Sequence, residues 1–275
     1  MGLSINTNIN SVIAQKNLGL ASAKLSKSYQ RLSSGLRING ASDDAAGLGI
    51  ASSLSAQIRG ANMASRNVND ALSVLQVADG ALDETVNSLQ RMRELAVQAS
   101  NGVLSSTDRD NLNTEFQQLM SEVNRIASGS KFNGQTLLMG SLTAFQVQVG
   151  QYSGQILSIT VNCALAASII GTGSLGGAGG SAAYSAITQL DYAITSVANI
   201  RATIGALQNR FDSVISTLGN VAVTTDAARS RIMDADIATE TAMLTRNSIL
   251  QQAATSVLVQ ANQSPQIAMA LLSGR

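Results

Sequence analysis

Every seventh residue from Leu54 is apolar: Leu54, Ala61, Val68, Leu75, Leu82, Leu89 and Ala96. Of the positions four further on, Ile58, Leu72 and Val86 are apolar, whereas Ser65, Asp79 and Arg93 are not. A seven-residue repeat held this long predicts one helix that packs along a seam with partners. At 1.5 Å per residue it would span roughly 60–65 Å, far longer than an ordinary globular helix. Asp79 and Arg93 are expected to fix register or to face another chain, rather than to fill a core.

A helical pattern runs from about Ile13 to Leu36, with Leu25, Tyr29, Leu32 and Leu36 in four-three-four spacing. Asn39-Gly40 breaks it, and Ser42-Asp43-Asp44 offers a cap for the long helix, predicted from about Asp44 to Ser100 and stopped at Asn101-Gly102. After Ser106-Thr107-Asp108, the row Leu112, Phe116, Leu119, Val123 and Ile126 predicts a second helix antiparallel to the first, ending at Ser128-Gly129. The period then changes to two. Phe145, Val147 and Val149, followed by Leu157, Ile159 and Val161, predict a hairpin around Gly150–Gly154. The stretch 171–181 holds six glycines and reads as a flexible connector. Helix returns from about Ala182, with Ile204, Leu207, Phe211, Val214, Leu218 and Val221 in three-four alternation. The pattern blurs over Ala227–Ile237 and resumes with Met243, Leu250, Ala253, Val257 and Ala261. Pro265 is expected to kink or end that helix, and an apolar tail, Ile267–Leu272, follows. The fold predicted is mainly α: long antiparallel helices in a coiled-coil-like bundle, with a small β-hairpin in the middle. Its terminal helices carry narrow apolar stripes that can only partly cover one another, so they call for neighbouring copies of the chain.

Composition narrows the function. Hydrophobic residues make up 45% of the 275, yet aromatic residues only 3%, with no Trp. That suits a slim helical seam better than an enzyme core. There is no His, and the single Cys163 can form neither an internal disulfide nor a thiolate metal site by itself. No catalytic, cofactor or metal residues are assigned, and the sequence points away from an enzyme. Asp43 and Asp44 read as capping and helix-dipole groups rather than paired catalytic carboxylates. A net charge of +1 argues against nucleic acid as a partner. No stretch is apolar enough to span a membrane, and the start lacks the apolar core of a secretory signal.

Four blocks carry a resemblance: RLSSGLRINGASDDAAGLGIASSLSAQIRG (Arg31–Gly60), QRMRELAVQAS (Gln90–Ser100), FNGQTLL (Phe132–Leu138) and the run from Ala228 to Gln266. Together they resemble bacterial flagellin, over roughly residues 1–140 and 185–275, in a short form with a reduced central region. The resemblance implies a structural subunit that polymerises into the extracellular flagellar filament for swimming. Such a chain would leave through the flagellar type III apparatus with no cleaved signal peptide. Its expected partners are itself, an export chaperone, the filament cap and hook–filament junction proteins. Residues 1–43 would pair with 233–275 as the inner core and order on assembly. Residues 44–170 and 182–232 would form the outer core, and 171–181 would link them.

Ile9, Val12, Ile13, Leu18 and Leu25, with Leu250, Val257, Leu258, Leu271 and Leu272, are the expected assembly contacts. By motif, Arg91, Leu95 and Glu115 would touch either a neighbouring subunit or the animal innate receptor for flagellin. The alternatives are a hook–filament junction protein, or a surface binding module or adhesin whose ligand contacts would lie in 140–185.

Overall fold

The computed structural model describes residues 7–139, 145–160, 174–175, 181–272 and 274, and for 264–272 the description covers the backbone alone. Among the described residues, the elements are α1 (Ile9–Ser34), α2 (Ala45–Ala99), α3 (Ser106–Gly129), β1 (Lys131–Phe132), β2 (Gln135–Thr136), β3 (Phe145–Gln148), β4 (Ile156–Ile159), α4 (Ser181–Met233) and α5 (Ile237–Leu272). The fold is mainly α with a small antiparallel strand pair in its middle, as the periodicities predict. Val161, Cys163 and most of the glycine stretch, residues 171–173 and 176–180, lie outside the described residues. Pro265 does not end its helix, because α5 continues to Leu272. The chain divides into two compact units, Met1–Ala56 with Thr224–Arg275, and Gln57–Val223.

The second unit holds the apolar core. The row Ala61, Val68, Leu75, Leu82, Leu89 and Ala96 is buried throughout. Its companion row is not the one four residues on. It lies three residues on: Ala64, Ala71, Ala78, Thr85, Met92 and Ala99 are all buried. Small side chains there let neighbouring helices come close. The four-on row lies at the edge of the seam, where Asp79 and Arg93 reach across to α4. Arg93 bonds Asp191 at 2.6 Å, and Arg201 bonds Asp79 at 2.9 Å and Asp83 at 2.7 Å. These pairs are about half exposed and add little stability. They do set the antiparallel register of α2 on α4. Phe116 and Val123 of α3, and Leu190, Ile204 and Phe211 of α4, complete the core.

Turn chemistry joins these pieces. Ser105 caps α3 in a capping box with Asp108. Arg109, nearly buried, donates to the carbonyls of Ala99 at 3.1 Å and Asn101 at 3.2 Å, where α2 leaves acceptors open. Asn133 (φ 47°) and Gly134 (φ 80°) turn β1 onto β2, and two successive left-handed residues are what a tight hairpin needs. In the larger hairpin, Phe145 pairs with Ile159 and Gln148 with Ile156. Val147, Leu157 and Ile159 enter the core. Gly60 of α2 faces the hairpin loop, where an added Cβ would stand 3.1 Å from that of Gln151.

In the first unit, two helix breaks lie side by side. Gly35 (φ 70°) ends α1 in the left-handed conformation. The amide of Arg37 donates to Met233 O at 2.6 Å and the amide of Ala235 to Gly35 O at 2.9 Å. Asp236 then starts α5 by accepting the amide of Ala238 at 2.9 Å and the hydroxyl of Thr239 at 2.8 Å. The Thr239 hydroxyl first, and the two amides after it, hold the Asp236 carboxyl below the usual carboxylate range. Lys27 Nζ, at 2.7 Å, does the same for Asp43, helped by the amide of Asn39.

Two outcomes follow from this packing. Phe116→Ala is expected to cost about 3–5 kcal/mol, read as a lower urea midpoint of the intact chain, whereas Tyr192→Ala, 72% exposed, shifts it by less than about 0.5 kcal/mol. The contribution of Asp236 is present above the unfolded carboxylate value of about 3.9 and is lost as pH falls through its depressed folded value. The protection factors of the Ala238 and Thr239 amides, taken against their intrinsic exchange rates, should therefore fall on acidification below about pH 4, and Asp236→Asn, which keeps an acceptor, should remove that pH dependence.

Candidate assembly interface

Helices α1 and α5 pair antiparallel, with Cα atoms approaching within 8 Å. The residues of α1 that this pairing buries are Ser11, Ala14, Ala21 and Ser28. Leu18, Leu25 and Leu32 are half-buried beside them. On α5 the inward row is Glu240, Leu244, Asn247, Gln251, Ala254, Leu258 and Ala261, in strict four-three alternation. The seam therefore mixes small and apolar side chains with polar ones set among them. Side chains bridge it at intervals. Asn8 Nδ2 donates to Ala261 O at 2.7 Å, Ser11 Oγ to Asn262 Oδ1 at 2.6 Å, Gln251 Nε2 to Ser22 Oγ at 3.2 Å and Asn247 Nδ2 to Ser28 Oγ at 3.3 Å. Arg31 faces the buried Glu240 at 3.7 Å. A hydrogen bond has directional geometry, so this ladder fixes one register where a plain apolar seam could slide.

The larger apolar side chains point outward. Ile9 and Val12 are each 64% exposed, and Ile13 is also exposed. On α5, Met243, Ile249, Leu250, Val257 and Val259 stand free. The row Met243, Leu250 and Val257, which the periodicity offers as a packing stripe, is thus an outer face of this helix pair. Of the expected contacts, Ile9, Val12, Ile13, Leu250 and Val257 are open to a neighbour. Leu18, Leu25 and Leu258 are half engaged within the pair. The side chains of Leu271 and Leu272 lie outside the described residues. The polar ladder escapes a search for apolar periodicity, although Ser11, Ser28, Asn247 and Gln251 keep seven-residue spacing with their apolar neighbours.

On the second unit, Arg91 bridges two carboxylates, Glu94 at 2.9 Å and Glu115 at 2.9 Å. Glu115 and then Glu94, as hydrogen-bond acceptors, hold its guanidinium further toward the charged form. All three are exposed. Leu95 does not belong with them. It is 1% exposed and sits in the core, because position 95 turns inward between Met92 and Ala96. The Leu95 side chain is therefore not part of the exposed surface that Arg91 and Glu115 share. Among the described residues, no helix is long and apolar enough to cross a membrane, and no cluster of three or more acidic or Cys side chains could hold a metal ion.

Comparison with known proteins agrees with this architecture. The bacterial flagellin N-terminal helical region matches residues 5–143, and the bacterial flagellin C-terminal helical region matches residues 187–272. A flagellin of Halalkalibacterium halodurans is 43% identical over 276 aligned positions, covering 98% of this chain and 99% of the relative. A flagellar filament 30.7 kDa core protein of Treponema maltophilum is 38% identical over 283 positions, covering 98% and 99%. Flagellin B of Vibrio cholerae is 34% identical, covering 99% and 100%, but over 375 positions, so it is the longer protein. Among solved structures, Bacillus cereus flagellin aligns at a TM-score of 0.50 and 34% identity over 56% of this chain and 88% of that one. A putative flagellar hook-associated protein from Vibrio parahaemolyticus aligns at 0.60 over 70% of this chain and all of that one, but at 16% identity, which speaks for the fold alone. Matched at both ends and short between them, the chain belongs to the bacterial flagellin family, in a form with a reduced central region.

Proposed function

We propose that this chain is the structural subunit of the bacterial flagellar filament, and that its terminal helices take up their packed form among identical neighbours. The observation that carries the reading is the set of large apolar side chains that α1 and α5 leave exposed, Ile9, Val12 and Ile13 with Met243, Leu250 and Val257. Ordering a residue costs about 1–2 kcal/mol in backbone entropy. Burial returns only about 25 cal/mol per Å2 of apolar surface. The fully buried residues of the 26-residue α1 are two alanines and two serines, which return little apolar area. The outward side chains are the reserve of apolar area, and identical copies packed around the pair would draw on it.

A repeated contact between different patches of one chain builds a helical polymer rather than a closed ring. The filament is extracellular in this family. Export through the flagellar type III apparatus, with a chaperone before it and the filament cap and junction proteins beyond it, follows from the family resemblance. So does a non-enzymatic role. The exposed Arg91–Glu94–Glu115 cluster is assigned first to lateral contact between subunits. An animal receptor that reads the same surface would see it only on the free chain. The hook–filament junction reading is weaker, because the relatives with high identity over nearly the whole chain are filament proteins and flagellins.

Electron microscopy of the purified chain on filament seeds tests the reading. The full chain should extend the seeds. Chains lacking residues 1–30, or the last 30, should not, while the helical signal of the second unit and its urea transition persist. Filaments grown from either truncated chain would contradict the proposal.

A further inference from the structure

The α1–α5 pair carries a groove of about 430 Å3. Its walls are unusually basic. Lys24, Lys27 and Arg31 stand three and four residues apart along α1, which has no carboxylate at all, and Arg246 faces them from α5. Met243 and Leu250, part of the outward apolar stripe, form the rim. Two of the four cations already have a partner in the chain: Lys27 holds Asp43 and Arg31 faces Glu240. Lys24 and Arg246 meet no carboxylate among the described residues. The Nε of Arg31 is buried without an acceptor. Like charges at this spacing on a helix repel.

At the helix break of the same unit the balance is reversed. Asp234 and Asp236 are exposed and accept only local hydroxyl and amide donors: Ser230 Oγ for Asp234, and Ala238, Thr239 and the Thr239 hydroxyl for Asp236. Neither meets a cation among the described residues. One unit thus presents two unpartnered cations in a groove and two unpartnered carboxylates at a break about ten residues away along α5, roughly 15 Å.

We propose that the groove of Lys24 and Arg246 receives the Asp234–Asp236 break of a second copy of the chain, so that successive copies are joined head to tail by this ionic contact. The inference rests on the filament reading above. If a neighbour covers the groove together with its apolar Met243 and Leu250, the exposed cations that line it, Lys24 and Arg246, lose water too. A desolvated cation without a counter-charge is costly, so the covering surface must bring carboxylates. An identical chain has them, unpaired, in its own break. Groove and break are different patches, so the contact repeats without closing. It also gives polarity to a packing that apolar stripes leave loosely specified.

Charge exchange in the full-length chain tests this. Lys24→Glu, Arg246→Glu and Asp234→Lys each should raise the critical concentration for seed extension about tenfold or more, with the monomer's circular dichroism unchanged. The double variant Arg246→Glu with Asp234→Lys, which restores opposite charges between copies, should return to within about threefold of the original chain. One molar salt should shrink the differences between single variants and the original chain. Single variants that extend seeds like the original chain, or a double variant as defective as its parents, would overturn the contact and leave the filament reading intact. An original chain that extends no seeds would contradict the filament reading itself.

Discussion

The seam between α1 and α5 is lined by small side chains, leucines and a ladder of hydrogen-bonding groups, and it leaves the bulkiest aliphatic side chains of both helices outside. Ser11, Ala14, Ala21 and Ser28 bring the helices close. Close approach lets Asn8, Asn247 and Gln251 reach across and fix the register. The same arrangement turns Ile9, Val12, Leu250 and Val257 outward. Apolar side chains left exposed in a row on a helix pair are surface that contact with other molecules can bury.

The second unit is organised the opposite way. Its leucine row on α2 and its alanine row three residues on are both buried, and Phe116 and Phe211 fill the space between helices without any exposure. Charges are confined to the edges, where Arg93 and Arg201 fix the pairing of α2 with α4. This unit buries a contiguous apolar core of its own. The two units therefore differ in chemistry: one is built round large buried side chains, and the other round a narrow seam of small and hydrogen-bonding ones. A subunit that must stay soluble before it polymerises needs both properties.

Much of this was legible in the sequence, because period and turn chemistry act locally. The boundaries of α2 and α3 fall within a residue or two of their cap and stop signals, and the alternation at 145–159 becomes a hairpin. What escaped has physical causes. The second buried row on α2 is Ala-rich, and alanine is too weakly hydrophobic to mark a core against Ile58, Leu72 and Val86. Asn133-Gly134 is a strong turn signal flanked by strands of only two residues, too short to show a period. Pro265 lies inside a helix that continues past it. Leu95 looks like part of the Arg91 surface in a linear motif, yet helical geometry turns it inward. At the ends, the apolar stripe on α5 was visible, but its direction was not. Periodicity shows that a helix has an apolar face, and it does not say whether that face meets its own chain or another.

Amide hydrogen exchange, followed in the free chain and in the seeded polymer, measures that distinction directly. Residues 9–34 and 237–263 should exchange within seconds to minutes in the free chain and become strongly protected in the polymer, while the buried row from Ala61 to Ala96 stays protected in both. Equal and strong protection of the terminal helices before and after polymerisation would contradict the account.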